Sequence, residues 1–202
     1  MAALIIVDFQ NDFALPTGSL SVPDAETILP VVNRLHQSAW DVVYLSADWH
    51  TPDHCSFQEN NRGTTLYKPF KLPSGEEQIA WPRHCVANTD GAKFHDGLDR
   101  RATDIVVYKG FNPKKEAYSA FAGRCNLPGI LGTPLGDSLI NRRISEVTVC
   151  GLATDYCVKA TAIDAAKNGF KTTVVMAACR GVAADTTAAA IREMEEEGVV
   201  MA

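Results

Sequence analysis

Two short strings in the sequence contain the residue types that bind metal ions. Asp48 and His50 are separated by one residue, and His84 lies in the string WPRHC. On an extended segment, residues two apart point to the same side. A carboxylate and two imidazoles, with further positions open for water or substrate, are typical of a catalytic zinc, iron(II) or manganese site. The plain alternative is that D-x-H occurs by chance and that a lone histidine is a satisfied core residue.

A second set of reactive residues combines a thiol, an acid and an amine. Cys157 follows the string GLATDY, which predicts a turn from a strand into a helix. A thiol at a helix N-terminus meets the positive end of the helix dipole, and a nearby Lys109 would favour the thiolate further. Asp8 could accept the thiol proton during attack. The alternatives are a buried structural cysteine, a loop-capping acid and a solvated lysine at a strand edge.

Alternating apolar strands and amphipathic helices are predicted to position these residues. The predicted strands cover 3–9, 41–48, 104–110, 146–152, 171–177 and a short edge strand at 199–201. The predicted helices cover 24–38, 154–169 and 185–198, with Asp24 and Asp185 as N-caps and with Gly169 and Gly198 as C-terminal stops. This alternation predicts an α/β fold, a three-layer α/β/α arrangement with a mainly parallel sheet of about six strands.

The reactive residues follow the predicted strands. In open parallel sheets, ligands bind beyond the carboxyl ends of the strands, so we expect Asp8, Asp48, Lys109 and Cys157 to converge there. The segment 49–103 has no strong period and contains several prolines, and a long irregular segment in a compact domain is usually functional.

Composition limits the class of protein. The 202 residues suit a single domain spanning 1–202, with 46% hydrophobic and 21% charged residues. A net charge of −5 disfavours nucleic acid as a partner. No apolar run is long enough to span a bilayer, and the N-terminal stretch has no basic region ahead of its apolar residues, so we expect a cytosolic protein. The 6 cysteines form no CxxC pair and are expected to be reduced.

Six strings taken together resemble one known family. IIVDFQNDF, SADWH, WPRHC, YKG, AYSAF and CGLATDYCVKATAIDAAKNGF, in this order, are similar to the isochorismatase-like cysteine hydrolases and, within them, to the nicotinamidase/pyrazinamidase group. The resemblance covers nearly the whole chain. It implies hydrolysis of nicotinamide to nicotinate and ammonia through a cysteine thioester, a step in NAD salvage, with pyrazinamide as a second substrate.

The resemblance also implies a role for each site residue. The catalytic residues would be Asp8, Lys109 and Cys157, with oxyanion donors at the backbone N–H groups of Ala153 and Cys157. The divalent metal, zinc with iron or manganese as alternatives, would be held by Asp48, His50 and His84. Phe13, Trp81 and Tyr118 would line the substrate pocket, and the Leu152–Ala153 peptide bond would be cis.

The sequence leaves several points open. His54 and Glu59 are candidates for a further metal ligand, whereas His36 and His95 match nothing in the family and are expected at the surface. Homo-oligomerisation is possible. The alternative activities are those of an isochorismatase or a carbamoyl-amide hydrolase, whose groups generally lack the three-residue metal set. The alternative to an enzyme is a metal- or ligand-binding scaffold whose thiol is silent.

Overall fold

The computed structural model describes residues 1–126 and 132–202, and its elements alternate along the chain. The strands within these ranges are β1 (Ala2–Val7), β2 (Val42–Asp48), β3 (Pro69–Lys71), β4 (Glu77–Ile79), β5 (Ile105–Lys109), β6 (Arg124–Asn126), β7 (Glu146–Leu152), β8 (Lys171–Arg180) and β9 (Val200–Met201). The α-helices are α1 (Asn11–Ala14), α2 (Leu29–His36), α3 (Leu135–Asn141), α4 (Lys159–Lys167) and α5 (Ala184–Glu196).

The central sheet has seven strands in the order β6-β5-β2-β1-β7-β8-β9. All neighbouring pairs are parallel except β5 with β6. From β1 the chain passes to β2 on one side and, later, to β7 on the other. The strand order therefore reverses between β1 and β7, and such a switch point opens a crevice at the carboxyl ends of the strands.

The central strands are covered on both faces. Every residue of β2 is buried, and so are five of the six residues of β1. Since successive side chains of a strand point to opposite faces, a strand buried along its length needs packing on both sides. The predicted fold class is confirmed. The sheet has seven strands rather than about six, because the short antiparallel β6 carries too few apolar residues to stand out in the sequence.

Two predicted helices and their predicted N-caps differ from the structure. The predicted helix 24–38 is a 3₁₀ turn over Ala25–Ile28 followed by α2, because Pro30 fits only the first turn of an α-helix. Asp24 lies at the N-cap position but its side chain makes no capping hydrogen bond. Helix α5 begins at Ala184, so Asp185 lies in its first turn and is not its N-cap.

Two histidines were expected at the surface, and the structure buries one fully and the other in part. His36 is 1% exposed, and its Nε2 lies 2.7 Å from Asp104 Oδ2. The prediction for His36 was wrong because α2 turns this residue inward, where Asp104, just before β5, pairs with its Nε2. His95 is half-buried, with its Nε2 3.2 Å from Glu26 Oε1.

The irregular segment between β2 and β5 contains a small antiparallel hairpin. It is formed by β3 and β4, which pair through Phe70 and Gln78. No helix among the described residues combines the length and the apolar character that a membrane crossing would need.

Candidate active site and metal centre

Lys109 lies at the end of β5 and is fully buried among reactive groups. Its Nζ lies 2.9 Å from Asp8 Oδ2 and 3.4 Å from Cys157 Sγ. It also donates to Asp48 Oδ1 at 2.5 Å and to the carbonyl oxygen of Ala117 at 3.2 Å. The interpretation of Lys109 as a solvated strand-edge residue is therefore wrong. Parallel pairing of β1, β2 and β5 brings their carboxyl ends, and hence these side chains, to one point.

Asp8 is held by the neighbouring strand. Its Oδ1 accepts a hydrogen bond from Ser46 Oγ at 2.6 Å. Its Oδ2 accepts no hydrogen bond of good geometry from the described residues, although the Lys109 ammonium is close. Asp8 has a φ of 48°, a left-handed conformation that non-glycine residues seldom adopt outside turns and functional sites. One carboxylate oxygen is thus fixed and the other is available to a proton donor.

Cys157 lies in a single π-helical turn, Thr154–Val158, between β7 and α4. The carbonyl oxygen of Ala153 accepts from the Tyr156 and Val158 N–H groups, each at 3.1 Å. The Leu152–Ala153 peptide bond is cis, as predicted. Gly151 has a φ of 117°, and a Cβ there would collide with the Val7 carbonyl, so only glycine allows β1 and β7 to approach this closely.

Burial sets the protonation of these groups. It raises the pKa of the Cys157 thiol well above its ordinary value, and Lys109 opposes this only in part. Burial likewise raises the pKa of Asp8, again against the effect of Lys109. Burial acts to lower the pKa of Lys109, but the Asp48 and Asp8 carboxylates raise it well above its ordinary value. Burial thus outweighs the thiolate-favouring effects expected of the helix start and Lys109, so the resting thiol is protonated and a base is needed to activate it.

Asp48, His50 and His84 form a second, adjoining cluster. One ligand atom from each residue lies within 4.8 Å of the others. Asp48 Oδ2 is 3.4 Å from His50 Nε2 and 3.9 Å from His84 Nε2. His50 Nδ1 lies 2.9 Å from the Gly110 carbonyl oxygen, and His84 Nδ1 lies 2.7 Å from the Pro82 carbonyl oxygen. With each carbonyl accepting from an Nδ1–H, the neutral form of each ring offers an Nε2 lone pair to the cluster.

This donor set fits a divalent metal ion. His50 Nε2 is buried and has no hydrogen-bond partner in the described part of the chain. Burial and the nearby His50 lower the pKa of His84 to about 4, so its imidazole is neutral at neutral pH. Burial disfavours charge on Asp48, yet Lys109 and His50 hold its pKa well below its usual range. Burial acts to lower the pKa of His50, but the Asp48 carboxylate raises it above its ordinary value, so a metal ion bound there would replace a proton. A carboxylate with two imidazole nitrogens is the three-ligand set of a catalytic site.

Glu59 and His54, the two candidates for a further metal ligand, differ in burial and in distance from the cluster. Glu59 is half-exposed, and its Oε1 lies 2.7 Å from Arg83 Nη1, outside the cluster. His54 is fully buried, with its ring centroid 4.2 Å from that of His50. Its Nδ1 lies 2.8 Å from Ser56 Oγ and its Nε2 lies 3.3 Å from the Lys115 carbonyl oxygen. Both ring nitrogens of His54 therefore already have polar partners.

A pocket adjoins both clusters. The predicted residues Asp8, Phe13, Trp81, Tyr118, Ala153 and Cys157 all line it, together with Asp48 and His84. The sequence analysis missed four further wall residues: Leu20, Val22, Tyr156 and Val182. The Trp81 and Tyr156 rings meet edge to face, with centroids 4.9 Å apart. The walls are thus apolar and aromatic, and Cys157, Asp8 and the candidate metal ligands Asp48 and His84 form the polar end.

Comparison with known proteins decides the family. The isochorismatase domain model matches residues 2–202. The chain belongs to the isochorismatase family. It is 41% identical over 204 residues to a nicotinamidase from Escherichia coli, covering 98% of this chain and 93% of that protein. It is 40% identical to a nicotinamidase/pyrazinamidase from Mycobacterium tuberculosis, covering 98% and 97% of the two chains.

Two solved structures of this isochorismatase-like fold contain informative ligands. The yeast nicotinamidase bound to the inhibitor nicotinaldehyde superposes with a TM-score of 0.87 at 32% identity, covering 100% of this chain and 99% of that one. The pyrazinamidase of Pyrococcus horikoshii in complex with zinc superposes with a TM-score of 0.79 at 35% identity, covering 100% and 98%.

Two supporting side chains in this isochorismatase-like site were missed, and one had a signal in the sequence. Ser46 precedes Asp48 by two residues, so the strand period alone places both on the same face. Gln10 is fully buried; its Nε2 donates to the Asp48 carbonyl oxygen at 2.9 Å, and its Oε1 accepts from the Asp48 N–H at 2.8 Å. Nothing in the sequence around Gln10 indicates that its side chain reaches the backbone of Asp48.

Proposed function

We propose that this chain is a nicotinamidase that hydrolyses nicotinamide to nicotinate and ammonia, as in NAD salvage, and also accepts pyrazinamide. The observation that carries the proposal is the meeting of Asp8, Lys109 and Cys157 beside the cluster of Asp48, His50 and His84 in one aromatic pocket. The nicotinamidase relatives at about 40% identity support the same activity. Residues 1–202 act as one domain, in the cytosol, where thiols stay reduced.

In the first half-reaction Asp8 is the base and then the acid. Asp8 takes the proton of Cys157, and the thiolate attacks the carboxamide carbon to form a C–S bond. Lys109, 3.4 Å from the sulfur, stabilises the thiolate as it forms. The N–H groups of Ala153 and Cys157 bind the oxyanion, an interaction whose loss typically costs about 10²–10³ in rate. Asp8 then protonates the amide nitrogen as the C–N bond breaks, and ammonia departs.

The second half-reaction hydrolyses the thioester. Asp8, again a carboxylate, takes a proton from water as the water oxygen bonds to the acyl carbon. The C–S bond breaks, Asp8 returns its proton to sulfur, and the nicotinic acid formed releases its remaining proton to solvent and leaves as nicotinate. The raised pKa of Asp8, caused first by burial, suits a group that must both accept and return protons. Lys109 keeps its charge throughout and transfers no proton.

Asp48, His50 and His84 are the residues that would hold the metal, and zinc is the proposed ion because a zinc complex is known for one relative. When bound, the metal supplies an electron-pair acceptor for the pyridine nitrogen and so positions the ring. Trp81 and Phe13 contact the faces of that ring. In this proposal the ring nitrogen lies at the metal end of the pocket and the carboxamide lies at the thiol.

The test is ammonia release from nicotinamide by the purified, metal-loaded protein, with nicotinate measured in the same samples. Equal amounts of both products are expected. Absence of ammonia from nicotinamide and pyrazinamide, with release of product from another amide or from isochorismate, would contradict the proposal and favour another branch of the family.

A further inference from the structure

Gln78 is a buried polar side chain on a hairpin whose other residues are largely exposed. It is 5% exposed, and its neighbour Glu77 faces solvent. The side chain lies outside both reactive clusters, yet it belongs to a series of hydrogen bonds that begins at the pocket wall. The role of this hairpin in the site was not apparent from the sequence.

The series starts at the indole of Trp81. Trp81 Nε1 donates to Tyr118 Oη at 2.9 Å, and Tyr118 Oη donates to Gln78 Oε1 at 2.8 Å. Gln78 Nε2 then donates to Glu116 Oε2 at 3.2 Å. Four side chains from two separate stretches of sequence, 78–81 and 116–118, are thereby joined end to end.

The direction of every bond in this series is fixed by chemistry. An indole N–H can only donate, and a carboxylate can only accept. The Gln78 amide must therefore turn its NH₂ group to Glu116 and its oxygen to Tyr118. The Tyr118 hydroxyl, whose pKa burial raises well above its ordinary value, keeps its proton to donate to Gln78 and accepts from Trp81. No other assignment satisfies all the groups.

The far end of the series is tied to the reactive lysine. Glu116 Oε1 accepts from the Ala117 N–H at 2.9 Å, and the Ala117 carbonyl oxygen accepts from Lys109 Nζ at 3.2 Å. The hydrogen bonds of Gln78 therefore fix the position of the aromatic wall relative to the amine beside the thiol.

We infer that Gln78 is a positioning residue, which holds Trp81 through Tyr118 in the orientation that accepts a planar aromatic carboxamide. The inference rests on the proposed function and extends it to substrate specificity. The aromatic rings that Trp81 meets among the described residues, Tyr67 and Tyr156, contact it edge to face at centroid distances of 6.0 and 4.9 Å. Apolar ring contacts are weakly directional, whereas a directed N–H bond fixes the orientation of the indole.

The first experiment compares Gln78→Met with Gln58→Met. Methionine preserves the approximate size of Gln78 and removes both hydrogen-bonding groups. Gln58 is a matched control in the same irregular segment, since its side chain donates to the Thr64 carbonyl oxygen at 2.9 Å and is not part of the series. Gln78→Met is expected to raise KM for nicotinamide about fivefold with kcat within about twofold, the scale of one lost hydrogen bond. Gln58→Met is expected to leave KM unchanged.

The second experiment exchanges the side chains of Gln78 and Glu116. Gln78→Glu alone places two carboxylates together and is expected to raise KM at least as much as Gln78→Met. Adding Glu116→Gln to that variant restores every hydrogen bond, because an amide again donates to a carboxylate and Tyr118 keeps its acceptor. The double variant is expected to recover KM to within about twofold of wild type, since the same number of hydrogen bonds is formed.

The outcomes separate this inference from the proposed function. If the wild type releases no ammonia from nicotinamide, the proposed function fails. If the wild type is active and Gln78→Met has an unchanged KM, the positioning role is wrong. A Gln78→Met variant that does not fold leaves the exchange as the test, and a folded double variant whose KM stays as high as that of Gln78→Glu would overturn the inference.

Discussion

The Lys109 ammonium lies 2.5 Å from Asp48 Oδ1 and 2.9 Å from Asp8 Oδ2. One buried lysine therefore joins the proposed nucleophile and base to the proposed metal ligands. A cation between two buried carboxylates offsets charges that could not be desolvated alone. The two clusters are thus one electrostatic unit, and a change in either is expected to affect the other.

Replacement of Lys109 tests this coupling. Lys109→Met leaves two buried carboxylates without their cation, and breaking a buried pair typically costs about 3–5 kcal/mol. The expected result in metal-free protein is a loss of unfolding free energy of this size, measured by urea denaturation, together with loss of turnover in metal-loaded protein. Lys159→Met is the control, since Lys159 forms a half-exposed pair with Glu193 at 2.9 Å and such pairs contribute about 0–1 kcal/mol.

A double variant locates the source of that loss. Adding Asp8→Asn to Lys109→Met removes one of the two uncompensated charges, so part of the lost stability is expected to return. If the double variant is less stable than Lys109→Met by the full effect of Asp8→Asn alone, the two side chains act independently and the coupling is refuted.

The pH profile reports the proposed base. Burial raises the pKa of Asp8 above its ordinary value of 3.8, and below its pKa the protonated carboxyl cannot accept the thiol proton. The rate constant kcat/KM is therefore expected to fall on the acid side with an apparent pKa above 3.8. Ser46 donates to the carboxylate and lowers its pKa, so Ser46→Ala should move this limb to higher pH. A limb that moves to lower pH would argue against Asp8 as the base.

His84→Ala tests the metal centre. Loss of one of three ligands is expected to lower metal occupancy, measured by elemental analysis, and to raise KM because the ring is no longer positioned. His95→Ala is the matched control, since His95 lies outside the cluster beside Glu26. Unchanged occupancy in His84→Ala would show that WPRHC serves packing and not metal binding.

Trp81→Ala tests the aromatic wall. A stacked aromatic pair adds about 0.5–1.5 kcal/mol beyond buried area, so aromatic amides should lose more of their kcat/KM than short aliphatic amides. Trp40→Ala, at a remote half-buried indole that donates to the Leu35 carbonyl oxygen, controls for general destabilisation. Equal losses for both amide classes in Trp81→Ala would mean that this ring does not face the substrate.

Much of the fold could be predicted because its signals are local. The apolar runs of β1, β2, β5 and β7 and the glycine stops of two helices were found from composition and period alone. These signals could not predict the hairpin of β3 and β4 or the edge strand β6. Each of these strands has three residues, and its pairing is decided by distant contacts.

The site divides in the same way, into residues that local sequence signals could place and properties that depend on distant contacts. Strand ends in a parallel sheet predict convergence, so Asp8, Asp48 and Lys109 could be placed together before any coordinates were known. The sequence could not reveal that burial keeps the Cys157 thiol protonated, because desolvation depends on how completely the surrounding elements close over it. Gln78 was missed for a related reason, since its importance arises from bonds to residues 38 and 40 positions away.

The most direct test is turnover by Cys157→Ala at full metal occupancy. Cys157 is not one of the three proposed ligands, so its loss removes one sulfur from a preformed pocket. The account predicts that the variant folds, keeps its metal by elemental analysis and releases no ammonia from nicotinamide above background. Retention of even about a tenth of the wild-type rate, where loss of a covalent nucleophile typically costs several orders of magnitude, would contradict Cys157 as the nucleophile.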